Sequence, residues 1–349
     1  MKKLKDEHLF RLLRNFLTIY LPEQRSCSIH TIKSYKESLN MLISFLETKK
    51  GISLFDITFD TINAQIMLEF LSWLEHERHC STRTRNQRLA AIRAFFNYAG
   101  KIDVSLIEYQ NDLRKIPMKK TADNNTFSFL SEVALKTLLS EPDIGTSKGV
   151  RDMFYMILLY DSGARNSELL NLRLKDVDLT PFRGHISVMG KGNKHRTIPI
   201  MNRTAEHCRK YLELYHKNER DQEQHLFYVT RNGQKFRMSD DNVARFLKSY
   251  GATAKKKCPE IPARIHPHLF RHTRAMHLYR GGMPLALLAE WLGHSQMETT
   301  LIYASADTEM KRQAIQKATN TSNPIQSDYF SDGEWKKDED LIRELYGLK

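Results

Sequence analysis

The chain has 349 residues, 41% apolar and 27% charged, with a formal net charge of +13. This length suggests two domains, and this apolar share is enough to build their cores, which argues against wholesale disorder. No run approaches the roughly 18 to 20 apolar residues of a membrane span, and Met1-Lys2-Lys3-Leu4-Lys5-Asp6-Glu7 lacks the apolar stretch of a signal peptide, so a cytoplasmic protein is expected. The basic excess favours a polyanionic partner, because each neutralised phosphate releases condensed counterions. Nucleic acid is the first candidate and an anionic membrane surface the second; charge alone does not separate either from a basic surface without a partner. Cys27, Cys80, Cys208 and Cys258 are scattered and form no Cys-x-x-Cys pair, as expected of free thiols in a reducing compartment.

Residues 8 to about 100 read as helices. From Thr31, the residues Ile32, Tyr35, Leu39, Leu42, Ile43 and Leu46 recur at three- and four-residue steps, with Ser28 as N-cap and Gly51 as stop. A second periodic stretch runs from Ile62 to Leu74. A third begins at Ser81 or Thr82, carries Leu89, Ile92, Phe95, Phe96 and Tyr98, and ends at Gly100. Its first turns hold Arg83, Arg85 and Arg88, at the end where the helix dipole favours anions. Two readings stay open for them: contact with phosphate, or a solvated basic face. Pro117, Lys119-Lys120 and the polar run Thr121 to Thr126 interrupt the periodicity and mark a linker, with the domain boundary near residue 125.

The second half mixes elements. Residues 151–161 predict a buried helix. His185 to Met189 and Thr197 to Ile200 predict two short strands around Gly190-Lys191-Gly192-Asn193, whose glycines suit a turn. Helices are predicted at about 204–217, 239–254, 267–280 and 285–292. The C-terminal segment contains a polar stretch, Thr319 to Ser327, followed by Leu341, Ile342, Leu345 and Tyr346 on one helical face. That helix is too short to be stable alone; it either docks on a neighbouring protomer or packs in cis.

Four segments carry reactive side chains: Ser162-Gly163-Ala164-Arg165-Asn166-Ser167-Glu168-Leu169; Gly190-Lys191-Gly192-Asn193-Lys194-His195-Arg196; His266-Pro267-His268-Leu269-Phe270-Arg271-His272; and Leu292-Gly293-His294-Ser295, followed by Tyr303. Phosphodiester exchange needs such a set. Two guanidiniums hold the non-bridging oxygens, a phenol stores the bond covalently without metal, and a lysine or imidazole protonates the leaving oxygen. His268 and Arg271 are three apart on a helix opened by Pro267 and share a face. Lys191 sits at a turn tip, with Lys194 and Arg196 as alternative cations. His294 precedes Ser295, a helix N-cap whose donors favour a nearby anion.

In this order the segments resemble the signature of the tyrosine recombinase/integrase family, which includes the Xer recombinases and phage integrases: an arginine in Gly-x-Arg-x-Ser-Glu-Leu, a turn lysine, His-x-x-Arg, Leu-Gly-His and a tyrosine. The match runs from about residue 130 to 318. Thr31-Ile32-Lys33-Ser34-Tyr35 and Thr84-Arg85-Asn86-Gln87-Arg88-Leu89 resemble the family's helical core-binding domain less specifically. The resemblance implies a mainly α fold with a small β-sheet. A helical, SAM-like core-binding domain would span 1–115, a linker 116–127, an α+β catalytic domain 128–318 and a tail 319–349. It further implies that Arg165 and Arg271 clamp the scissile phosphate, that Lys191 is the general acid and that His268 accepts or relays the tyrosine proton. His294 would bond a phosphate oxygen, Glu168 brace Arg165 or the His268 region, and Tyr303 form a 3′-phosphotyrosyl link. No metal, other cofactor or small-molecule substrate is implied. The expected partner is double-stranded DNA with specific recombination sites, bound by a homotetramer on two sites that exchanges strands through a Holliday junction, and no membrane. Groove-facing candidates are the helices at Arg83 to Arg93 and Asn242 to Lys248, the latter with Arg245 and Lys248.

Other readings compete. His268 and His272 are spaced i, i+4 as in zinc proteases, but no Glu follows the first histidine. Tyr279 is a second phenol, without the Leu-Gly-His lead. Ala164 stands where the family often has Leu. With the same chemistry the chain would be a type IB-like topoisomerase or telomere resolvase; without it, a catalytically inactive DNA-binding regulator.

Overall fold

The structure, a computed structural model, describes residues 3–121, 128–190, 195–293 and 298–306, together with Arg312 and Arg343. The chain divides into two compact units, 1–125 and 126–349.

The first unit is helical. α1 (Glu7–Asn15) is capped by Asp6, whose carboxylate accepts from the Leu9 amide at 2.9 Å and the Phe59 amide at 3.3 Å. It runs into a π-helical segment, Phe16–Gln24, that contains Pro22. α2 (Ile29–Lys50) starts at Ser28, whose hydroxyl accepts from the Thr31 amide, and stops at Gly51, where φ is +65°. α3 (Ala64–His76), α4 (Thr82–Ile102) and α5 (Ile107–Lys115) complete the unit. The apolar stripes of α2 and α4 meet in one core around Leu42, Phe45, Leu46, Leu89, Ile92 and Phe95.

α4 also straps the chain that leaves the unit. Arg93 donates to the carbonyls of Leu113, Arg114 and Ile116. Arg85, almost fully buried, donates to the Pro117 carbonyl at 3.1 Å. Asn86 donates to the Lys119 carbonyl and accepts from its amide. Arg88 turns inward to Ser38 Oγ at 3.0 Å. Of the three arginines in the first turns of α4, Arg83 is the exposed one.

The second unit opens with α6 (Glu132–Leu139) and α7 (Ser147–Ser162). The apolar run of α7 is its central packing element: Phe154, Tyr155, Leu158 and Leu159 are buried in the main core with Tyr211, Phe227 and Phe246. The short α8 (Asn166–Leu170) leads into an antiparallel sheet of order β1 (Val177–Asp178), β2 (His185–Met189), β3 (His195–Pro199). His185 pairs with Pro199 and Met189 with His195, and alternation puts Ile186, Val188 and Ile198 in the core. After α9 (Asn202–Tyr215), a hairpin of β4 (Tyr228–Arg231) and β5 (Gln234–Arg237) turns through Asn232-Gly233, both at positive φ. α10 (Asp240–Lys257), α11 (Pro267–Arg280), α12 (Leu285–Leu292) and α13 (Glu298–Ala306) follow. A small second cluster, Ala275, Met276, Leu288, Leu292 and Tyr303, joins the last three. Among the described residues no helix is long and apolar enough to cross a membrane, and all four cysteines are free thiols.

The mainly α fold with small antiparallel sheets agrees with the sequence reading. α11 and α12 match the predicted spans. α10 extends to Lys257, and β3 begins at His195, two residues before the predicted start.

Candidate active site

α7 ends at Gly163 in the left-handed conformation, with φ +58°. The reversed chain buries Ala164 and delivers Arg165 to the N-cap of α8. One turn on, Glu168 is 5% exposed and accepts four hydrogen bonds. The Arg165 amide reaches Oε2 at 2.7 Å and Arg165 Nη1 reaches Oε1 at 2.9 Å; Arg196 Nη1 reaches Oε1 at 3.0 Å and Nη2 reaches Oε2 at 2.8 Å. These bonds fill the acceptor capacity of a carboxylate. Burial pushes the Glu168 pKa up, but the bonds from Arg196 and Arg165 outweigh it and hold the carboxyl below its ordinary value.

Arg271, on α11, is 1% exposed and donates to the Gly163 carbonyl at 2.7 Å and the Leu292 carbonyl at 2.6 Å. One guanidinium thus ties the end of α7 to the end of α12. Burial first, and then Arg165, lower its pKa to about 10. Gly293 follows Leu292 at φ +66°, and a Cβ there would lie 2.8 Å from Arg196 Nη1. Arg165 Nη2 faces the Gly293 carbonyl at 3.4 Å. Arg165 and Arg196 share the Glu168 carboxylate and Arg271 lies close enough to feel its charge, so among the described residues positive charge is in excess there.

Tyr303, on α13, is 1% exposed within the second cluster. Burial pushes its phenol up to about 12, with Arg271 acting in the opposite direction. Its hydroxyl lies 3.1 Å from Nδ1 of His272. His268 is exposed one turn earlier, with its ring edge-on to His272 at a centroid distance of 4.3 Å. Desolvation, then Arg271, His266 and Arg165, lower the His268 pKa and favour neutral imidazole. The family resemblance implies His268 as acceptor of the tyrosine proton; among the described residues, the imidazole that meets the phenol is His272. Its signal was the i, i+4 spacing to His268, weighed only as a metal pattern.

Around these groups, Arg274 pairs with Asp161 at 2.9 Å and Trp291 donates to the Ser162 carbonyl at 3.1 Å. Lys191, Lys194, His294 and Ser295 lie outside the described residues, as does the C-terminal segment read as a docking tail, except Arg343. Arg245 and Lys248 are exposed on α10, whereas Arg85 is committed to the Pro117 carbonyl.

Residues 128–310 match the phage integrase family, and residues 15–101 match the phage integrase N-terminal SAM-like domain. The chain is 33% identical to a putative integrase/recombinase, y4rC, of Sinorhizobium fredii, over 90% of this chain and 93% of that one. It is 30% identical to a tyrosine recombinase of Pseudothermotoga lettingae, over 88% and 98%, and 30% identical to tyrosine recombinase XerD of Listeria monocytogenes, over 84% and 93%. Its fold is similar to that of the Tn1549 transposon integrase in complex with transposon right end DNA, with a TM-score of 0.65 at 18% identity over 89% of this chain and 98% of that one. It is also similar to the XerH site-specific recombinase bound to palindromic difH substrate, with a TM-score of 0.63 at 19% identity over 90% of each chain. The chain belongs to the phage integrase family of tyrosine recombinases, enzymes that transfer DNA strands.

Proposed function

We propose that this chain is a site-specific recombinase. It cleaves and rejoins duplex DNA through a 3′-phosphotyrosyl intermediate at Tyr303 and exchanges strands between two sites through a Holliday junction. The observation that carries the reading is that Arg271 lies within electrostatic reach of Arg165, Glu168 and the Tyr303 phenol, which itself meets His272.

In this reading the Tyr303 oxygen attacks the scissile phosphorus and the P–O5′ bond breaks. The phenol proton passes to the His272 and His268 pair, and Lys191 protonates the departing 5′ oxygen. Arg165 and Arg271 hold the non-bridging oxygens, where negative charge grows in the transition state, and His294 adds a further bond. The energy of the broken ester is kept in the new one, so a 5′ hydroxyl from the partner duplex reverses the step without ATP or metal. A phenol that is 1% exposed cannot meet a DNA phosphate. Attack therefore requires α13 to withdraw Tyr303 from between Met276, Leu288 and Leu292, and DNA binding drives that movement.

The partner is double-stranded DNA carrying specific sites, engaged as a tetramer on two of them. Arg83, Arg245 and Lys248 are the exposed cations placed on its backbone or bases. The test uses duplex fragments that the protein selects from genomic DNA. Two selected sites on one plasmid should yield four-way junctions and exchanged products. Relaxation of supercoils with no junction would show a topoisomerase instead, and binding without cleavage a regulator.

A further inference from the structure

Resting on this strand-cleavage reading, we propose that Arg196 is a positioning residue that sets the phosphate grip of Arg165 by sharing Glu168 with it. Arg196 lies on β3, shortly after Lys191 and Lys194 in sequence, and is a third candidate cation for protonating the leaving oxygen. Its geometry assigns it another task. Both terminal nitrogens are committed to Glu168, at 3.0 and 2.8 Å, and its side chain is 16% exposed. A guanidinium is also a poor proton donor near neutral pH.

The sharing is specific. Arg165 and Arg196 each bond both Glu168 oxygens, but Arg165 does so with one terminal nitrogen and its backbone amide. The second terminal nitrogen of Arg165 faces the Gly293 carbonyl at 3.4 Å, longer than a good hydrogen bond, so it remains available to a phosphate oxygen. Without Arg196, a buried carboxylate with two open acceptor positions would draw in the full fork of Arg165, the preferred pairing of the two groups. The arginine would then turn toward Glu168 and away from DNA. Gly293 completes the arrangement: it has no side chain, and the Arg196 guanidinium occupies the space a Cβ would need. Arg196 thereby couples the sheet, the Arg165 turn and the end of α12.

The test compares wild type, Arg196→Met and Arg196→Lys in single-turnover cleavage of nicked duplexes carrying a selected site. The scissile link is a phosphate, a neutral methylphosphonate, or a phosphate with a 5′-bridging sulfur, whose thiolate leaves without an acid. On phosphate, Arg196→Met should form covalent adduct about 100-fold more slowly, the scale of a misplaced catalytic group. The neutral methylphosphonate, which needs less of a guanidinium grip, should close most of that gap, and the 5′-sulfur substrate should leave it open. Arg196→Lys, able to make one of the two Glu168 contacts, should fall between. Rescue by the 5′ sulfur would make Arg196 the proton donor and overturn the proposal. Equal losses on all three substrates would make its role purely structural, and an unchanged rate on phosphate would also overturn the proposal. If wild type forms no adduct on any substrate, it is the cleavage reading that fails.

Discussion

Inward-facing arginines gather on α4 in the first unit and around Glu168 in the second, and they differ in what they face. On α4, Arg85 and Arg93 end on backbone carbonyls of residues 113–117, and Arg88 on Ser34 and Ser38. Apart from the Glu37 carboxylate, 3.9 Å from Arg88, those partners are neutral, and the guanidiniums fasten chain to chain. In the second unit, Arg165 and Arg196 meet on Glu168, and Arg271 stands beside them on two carbonyls. Here three positive charges face one negative charge. Bringing like charges together under partial burial is costly, and an uncompensated positive site is the arrangement a transferring phosphate requires. Buried arginine alone therefore does not mark a candidate phosphate site; what sets the second group apart is unbalanced charge around a shared carboxylate.

The largest effect that would break this contrast is on catalysis. Arg271→Ala and Arg165→Ala should each slow adduct formation by roughly 10²- to 10³-fold, the usual cost of removing one transition-state donor, read in single-turnover cleavage at saturating DNA. Arg93→Ala should do the reverse. It removes the bonds that strap residues 113–116 to α4 and should destabilise the first unit by about 1–3 kcal/mol in urea unfolding. At saturating DNA its cleavage rate should stay within about threefold of wild type, a change small on the catalytic scale. A large rate loss in Arg93→Ala would blur the distinction between the two groups.

Acid offers a gentler probe of the second unit. Burial is the leading cause that lowers the pKa of His207, His216, His225, His266 and His277. These rings are held neutral in the folded unit, whereas in the unfolded chain they take up protons near pH 6.5. Their contribution to stability is thus complete above about pH 6.5 and is lost as pH falls through the lowered folded values. Hydrogen exchange in α7 and α11, corrected for intrinsic rate, should be faster at pH 5.5 than at 7.5; equal protection would contradict the assignment. The smallest expected effect is at Arg83. Replacing this exposed residue with Ala should reduce the slope of log affinity against log salt by about 0.9, as for one lost phosphate contact. An unchanged slope would assign Arg83 to a solvated face.

Much of this was readable from the sequence where one local rule decides the outcome. Ser28 and Gly51 bracket α2 because a hydroxyl cap and a left-handed glycine are local chemistry. Pro267 opens α11 for the same reason. The hairpin at Asn232-Gly233 was missed although that dipeptide is a strong turn signal; its strands, Tyr-Val-Thr-Arg and Gln-Lys-Phe-Arg, are mostly exposed and carry little apolar alternation. The π-helical segment at Pro22 was illegible because its hydrogen-bond pattern depends on packing. Within the site, the order of Arg165, Arg271 and Tyr303 could be read along the chain. The Arg196 fork on Glu168 and the His272 contact with Tyr303 could not, because each joins residues 28 to 31 positions apart and needs the folded chain to bring them together. The inward turn of Arg85 and Arg88 was hidden likewise: a basic helix face looks the same in sequence whether it meets DNA or its own backbone.

If the proposed chemistry holds, Tyr303, one of fourteen tyrosines, becomes joined to DNA. The most direct measurement is mass spectrometry of the nucleotide-bearing peptide after a nicked duplex is cleaved and the trapped complex digested. The expected result is a 3′-phosphotyrosyl link on Tyr303 and no adduct in Tyr303→Phe. A link on Tyr279, or an adduct that survives Tyr303→Phe, would contradict it.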